Sequence, residues 1–166
     1  MVSRLIIITC YRKERDERGR IRIISEEESI CPICIGHLKV IGIRKRIVIN
    51  TAGDKEKLII RRLRCRTCHK IHHELPDYVI PYKRHCSETV ESIINGGAED
   101  ICCDFVTEHR IRSWWATVIV YFEKVLASLR TKYGMTFPDD PTPREIVRAL
   151  TNTNLWVHTR TAMTPI

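Results

Sequence analysis

Two Cys-x-x-Cys pairs, Cys31-Pro-Ile-Cys34 and Cys65-Arg-Thr-Cys68, stand thirty residues apart and restrict what this chain can fold into. Two residues between cysteines let a tight turn aim both sulfurs at one ion. A chain reversal between the pairs then lets the second complete a tetrahedron. Thiolates suit zinc, and four of them close the coordination sphere. The spacing therefore predicts one structural Zn2+ on Cys31, Cys34, Cys65 and Cys68. An iron–sulfur cluster would use the same ligands. Disulfides are a poorer reading of the eight cysteines. The run Leu5-Ile6-Ile7-Ile8 is too short for a secretory signal and meets the charged stretch Arg12–Arg18, so a reducing, cytoplasmic setting is expected. Cys10, Cys86, Cys102 and Cys103 read as small buried apolar residues.

His69, His72, His73 and Glu74 follow the second pair, but their order is not the His-Glu-x-x-His of a metalloprotease. His69 replacing one thiolate, and His72 packing against the knuckle, are the alternatives left open. No enzyme is expected from this cluster.

Charge is concentrated between the cysteine pairs. The chain carries a net charge of +8, yet Lys39–Lys70 alone holds eleven cations against Asp54 and Glu56, so the remainder is close to neutral. A focused cationic segment favours a polyanion, and double-stranded DNA is the expected partner. The candidate contacts are Arg44, Lys45, Arg46, Arg61, Arg62, Arg64 and Arg66. The competing explanation is a solvated ribbon that uses charge to keep its edges from aggregating.

The fold class expected is α+β, with a β-rich zinc ribbon over residues 1–83 and a helical, helix-turn-helix-like half over 84–166. Arg4–Cys10 and Arg20–Ile24 read as an N-terminal hairpin with a long polar connection. Val40–Ile49 and Leu58–Arg64 read as strands around the turn 50–54. Pro76 and Pro81 make 69–82 a turn-rich connector. Ser87 is an expected N-cap for a helix stopped by Gly96-Gly97, followed by a short helix over Ala98–Phe105. Thr107 is expected to cap a long helix ending at Gly134, and Thr142-Pro143-Arg144-Glu145 has the form of a capping box. From Thr151 the tail shows no pattern. Helix, short helix, turn and longer helix is the order of a helix-turn-helix, which would place Thr107, His109, Arg110, Arg112 and Ser113 at base edges or phosphates, with Arg110 and Arg112 the best candidates. Ile101, Cys102, Phe105, Ile111 and Trp114 would form its small core. The alternative is a plain helical bundle. Ile111, Trp115, Val118, Phe122, Val125 and Leu129 step as a short heptad seam, which offers either a docking stripe or a homodimer through the 111–129 helix. The longest apolar run, Trp114–Phe122, falls short of the ~20 residues of a membrane span.

The phrases Cys31-Pro-Ile-Cys34, Arg61-Arg-Leu-Arg-Cys65-Arg-Thr-Cys68 and His72-His-Glu-Leu-Pro-Asp-Tyr-Val-Ile-Pro-Tyr-Lys-Arg84 resemble an uncharacterised family of small bacterial zinc-ribbon plus helix-turn-helix proteins. That family is found with transposons and insertion sequences. More distantly, a ribbon followed by helices resembles the N-terminal DNA-recognition part of insertion-sequence transposases. The resemblance implies a DNA-binding regulator or a transposon-associated accessory factor. A transposase nuclease core would need more chain than residues 100–166 supply. A second expectation is an interaction adaptor that binds a transposase or another mobile-element protein.

Overall fold

The structure, a computed structural model, describes residues 4–157. It is a mixed α+β fold of six strands and three helices: β1 (Leu5–Ile8), β2 (Tyr11–Arg15), β3 (Ile21–Ser25), β4 (Leu38–Ile49), β5 (Lys55–Cys65), β6 (Ile71–Pro76), α1 (Ser87–Ile94), α2 (Phe105–Tyr133) and α3 (Pro143–Asn152). The expected end of the helical half lies beyond the described residues.

The strands form one sheet in the order β1-β6-β5-β3-β2, with β4 pairing β5 outside that path. β5 is the organising strand. β4 covers one edge along its whole length, from Leu38 opposite Cys65 to Ile49 opposite Lys55. The other edge is divided between β3, parallel at Ile21–Leu58 and Arg22–Ile59, and β6, antiparallel from Arg62–His73 to Arg64–Ile71. The β4–β5 hairpin turns at Asn50–Asp54, where Gly53 takes a left-handed φ of 85°. That conformation costs a glycine little and other residues considerably more.

The N-terminal hairpin differs from expectation. Its two strands are Tyr11–Arg15 and Ile21–Ser25, so part of the charged stretch is itself a strand. Leu5–Ile8 crosses to the far edge and pairs in parallel with β6. All four β1 residues are buried, as befits an unbroken apolar run, whereas β2 exposes four charged residues along a sheet edge. The connector expected at 69–82 contains β6, a strand held on both sides. Pro76 is tolerated because it is the strand's last residue.

The helical layer has its own apolar cluster, centred on Phe122, Trp115, Val118, Ile93, Leu150 and Trp156. The cap of α1 is Cys86, with Ser87 inside the helix. Only Ala98–Asp100 forms the short helix, a single 3-10 turn. Asp104, rather than Thr107, caps α2: its carboxylate accepts the Thr107 N–H at 2.9 Å and the Thr107 hydroxyl at 2.6 Å. Gly134, at φ 63°, ends α2 as expected, and the Thr142–Glu145 capping box of α3 is complete.

On α2 the buried stripe is Ile111, Trp115, Val118, Phe122, Leu126 and Leu129. Leu126 replaces the expected Val125, and the stripe follows the ~3.6-residue period of a straight helix lying on a core. The seam is thus buried inside the chain, and a homodimer through this helix would have to use its outer face. The expected small core is only partly realised: Phe105 is 81% exposed and Cys102 is exposed. Of the four remaining cysteines only Cys86 is buried, while Cys10 and Cys102 are exposed and Cys103 is intermediate.

Candidate metal centre and basic ribbon

Each cysteine pair sits in a turn built the same way. In the first, the Cys31 N–H donates to the Gly36 carbonyl at 3.0 Å, and Ile35 has φ 60°. In the second, the Cys65 N–H donates to the Lys70 carbonyl at 2.9 Å, and His69 has φ 56°. Both turns therefore close over five residues and exit through a left-handed residue, which gives the two sulfurs of each pair a common direction. The second turn is docked by strand geometry, since Cys65 ends β5 and faces Leu38 of β4.

All four sulfurs lie within 4.8 Å of one another. Cys31 and Cys68 are separated by 3.6 Å, and Cys34 and Cys65 by 3.4 Å. A tetrahedron with ~2.3 Å metal–sulfur bonds has edges of about 3.8 Å, so the set fits one metal ion. The thiols differ in acidity. Burial pushes Cys31 up to about 12 against the backbone N–H bonds of Ile33 and Cys34. Burial also acts upward on Cys65, but N–H groups of Cys68 and Thr67 aimed at its sulfur outweigh it and bring it down to about 6. A bound cation favours the thiolate of every member.

His72 is fully buried, with Nε2 3.4 Å from the Cys31 sulfur, so it packs against the knuckle. His69 and His73 are not part of the four-sulfur cluster. Behind the centre Glu74, whose side chain is 1% exposed, accepts two hydrogen bonds from Arg61 at 2.6 and 2.8 Å and one from the Ser29 hydroxyl at 2.6 Å. Ser29 lies two residues before Cys31, so this ion pair ties the first turn to the sheet. Arg61 is engaged there and is not a free cation.

The other basic residues divide by face. In an antiparallel pair, opposed residues share a face. The register places Lys39 opposite Arg64 and Gly42 opposite Arg62, with Arg44 opposite Ile60 and Arg46 opposite Leu58. One face of the ribbon therefore carries Lys39, Arg64, Arg62, Arg44 and Arg46, and β6 adds His73 opposite Arg62. Lys39, Arg44, Arg62 and Arg64 have no acidic partner among the described residues. Burial, then Arg44 and Arg62, then His72 and Arg46, push the His73 imidazole down to about 4. Arg46 donates to the carbonyls of Ile80 at 3.1 Å and Lys83 at 2.9 Å and so holds the segment after β6. Lys45 lies on the opposite face, with Ile43 and Ile47, and Arg66 is exposed in the second cysteine turn. On α2, His109 and Arg110 are exposed, while Arg112 bonds Glu108 at 2.9–3.0 Å. Lys39 joins the contact set through strand register, and Glu74, considered above beside the histidines, serves instead as the buried partner of Arg61 and Ser29.

A mixed α+β chain with a four-cysteine centre at the end of a basic hairpin is the class that fold and site define. A family model described as a domain of unknown function (DUF6431) matches residues 31–114, half of the chain, and the chain belongs to that family. The matched stretch opens on the first cysteine of the centre and closes early in α2. No curated protein and no solved structure matches the chain. No helix among the described residues is long and apolar enough to cross a membrane.

Proposed function

We propose that the protein binds double-stranded DNA through the β4–β5 ribbon, with one structural zinc holding the ribbon's open end. The observation that carries this reading is the set Lys39, Arg44, Arg62 and Arg64, aligned on one face with no acidic partner among the described residues. Like charges on facing strands cost stability, and a polyanion removes that cost. β4 is an edge strand with most of its residues exposed, which leaves its cations open to a ligand. Four thiolates leave zinc no open position, which supports a binder over an enzyme. The β-rich half is read as a zinc ribbon. α1, the 3-10 turn and the start of α2 are read as a helix-turn-helix-like unit that brings His109 and Arg110 to the same ligand. With the resemblance of its cysteine motifs, this makes the protein a cytoplasmic regulator or an accessory factor of a transposon.

The test is binding of the zinc-loaded chain to duplex pools across a salt series. Affinity should fall with salt by a log–log slope of about −0.9 per phosphate contacted. Arg44→Ala with Arg62→Ala should reduce that slope by nearly 2 on specific and random duplex alike. A salt-independent interaction, or none, refutes the reading. A second reading, an adaptor for a transposase, is favoured by Ile43 and Ile47, which are 53% and 52% exposed along β4. It requires a partner complex that survives nuclease treatment.

A further inference from the structure

Where the 50–54 turn meets the start of α2 there is an open cleft of about 850 Å3. Arg84 and His85 line it from the segment after β6, Cys102 from the loop before α2, and Thr107 and Arg110 from the first turns of α2. Its size lies within the range of sites that hold small ligands. The floor is tight: a Cβ on Gly53 would stand 3.1 Å from the Cys102 sulfur.

The chemistry of the walls favours an anion. Arg84 and Arg110 are exposed and have no acidic partner among the described residues. Asp104, the carboxylate in the lining, is taken up as the α2 cap by the backbone and hydroxyl of Thr107. Nδ1 of His85 is buried with no hydrogen-bond partner, a rare condition for a ring nitrogen inside a fold. The segment that lines the cleft is also tied to the ribbon. Arg46 holds the segment carrying Lys83 and Arg84 against β4. The Lys83 ammonium lies 4.1 Å from the Trp114 ring centre, one helical turn beyond Arg110.

We propose that this cleft seats a phosphate ester between Arg84 and Arg110, and that the ester belongs to the nucleic-acid strand tracked by the ribbon. The second half of this inference rests on the proposed DNA binding; the first half does not. Guanidinium groups recognise phosphate by charge-assisted, bidentate hydrogen bonds, and two of them line this cleft.

The experiment uses the full, zinc-loaded chain. Binding of a labelled duplex is followed by anisotropy across salt, and binding of adenosine monophosphate by calorimetry. Arg84→Gln with Arg110→Gln should lower the salt slope by about 2 and weaken duplex binding roughly tenfold or more at physiological salt, with an unchanged melting temperature. Arg84→Lys with Arg110→Lys should restore most of the slope. If duplex binding is intact in the glutamine variant but lost in Arg44→Gln with Arg62→Gln, the cleft assignment fails and the ribbon reading stands. If the wild type ignores duplex yet binds the nucleotide in an Arg84- and Arg110-dependent way, the cleft assignment stands with a free nucleotide as source, and the DNA reading falls. If neither probe binds, both fall.

Discussion

Asn152, the last residue of α3, shows what one side chain does for this sheet. Its carboxamide accepts the Ile7 N–H at 2.7 Å and donates to the Ile7 carbonyl at 2.9 Å, serving β1 as a strand would. Asn152→Ala leaves both backbone groups without these partners and should cost about 1–3 kcal/mol, measured by urea unfolding. His73 sets a pH dependence. Its folded value, about 4, lies below the ordinary 6.5, so it stabilises the fold above about 6.5, and that contribution is lost as pH falls toward 4. A phosphate beside Arg44 and Arg62 offsets part of their effect on the imidazole. His73 titrated by NMR should therefore move upward on DNA binding, and affinity should rise between pH 7 and 5. Ile35 is a β-branched residue at φ 60°. Ile35→Gly should retain metal stoichiometry and leave apo stability unchanged or raised by up to about 1 kcal/mol, because relief of the left-handed conformation opposes glycine's entropy.

At the scale of elements, the four-cysteine centre, which can hold a metal ion, stands at the open end of a hairpin that few tertiary contacts support. β4 has exposed residues along most of its length, and among the described residues its free edge bonds to other backbone near Ile49, beside Arg84–Cys86. Removing the metal, or Cys65→Ser, should therefore speed amide exchange in Leu38–Ile43 and Leu63–Cys65 far more than in α2, whose core is remote from the centre. The cysteine turns, the ribbon and the α3 cap were legible because each depends on chemistry a few residues apart: sulfur spacing, strand alternation around a turn, and a Thr-x-x-Glu box. β1 and β6 were not. Leu5–Ile8 has no alternation because both of its faces are buried, and its partner lies beyond the two cysteine turns. Nor does spacing tell which arginines are free. Arg46 and Arg61 resemble their neighbours in sequence and differ only through the Ile80 and Lys83 carbonyls and Glu74.

Across the whole molecule, the sheet and the helical layer are joined by a polar bridge around Arg144 on α3. Its guanidinium lies 2.6 Å from Glu88 and 3.6 Å from Asp77, and its backbone N–H donates to Glu91 at 3.1 Å. Asp77 in turn accepts the Tyr11 hydroxyl at 2.8 Å. Arg144→Ala would leave three carboxylates close together without their counter-ion. The expected loss is about 2–3 kcal/mol, partly recovered as Glu91 protonates below neutrality, since burial already raises its pKa. Thermal melts at two pH values would measure it.

The parallel pairing of β1 with β6 has a consequence during synthesis. Leu5–Ile8 is made nearly seventy residues before its strand partner and well over a hundred before Asn152. Through that interval a wholly apolar strand has nothing to pair with, while the ribbon behind it closes locally and brings its four cysteines together. The nascent chain therefore carries its most adhesive segment exposed for longest, and the demand for chaperone protection falls on β1 rather than on the charged hairpin.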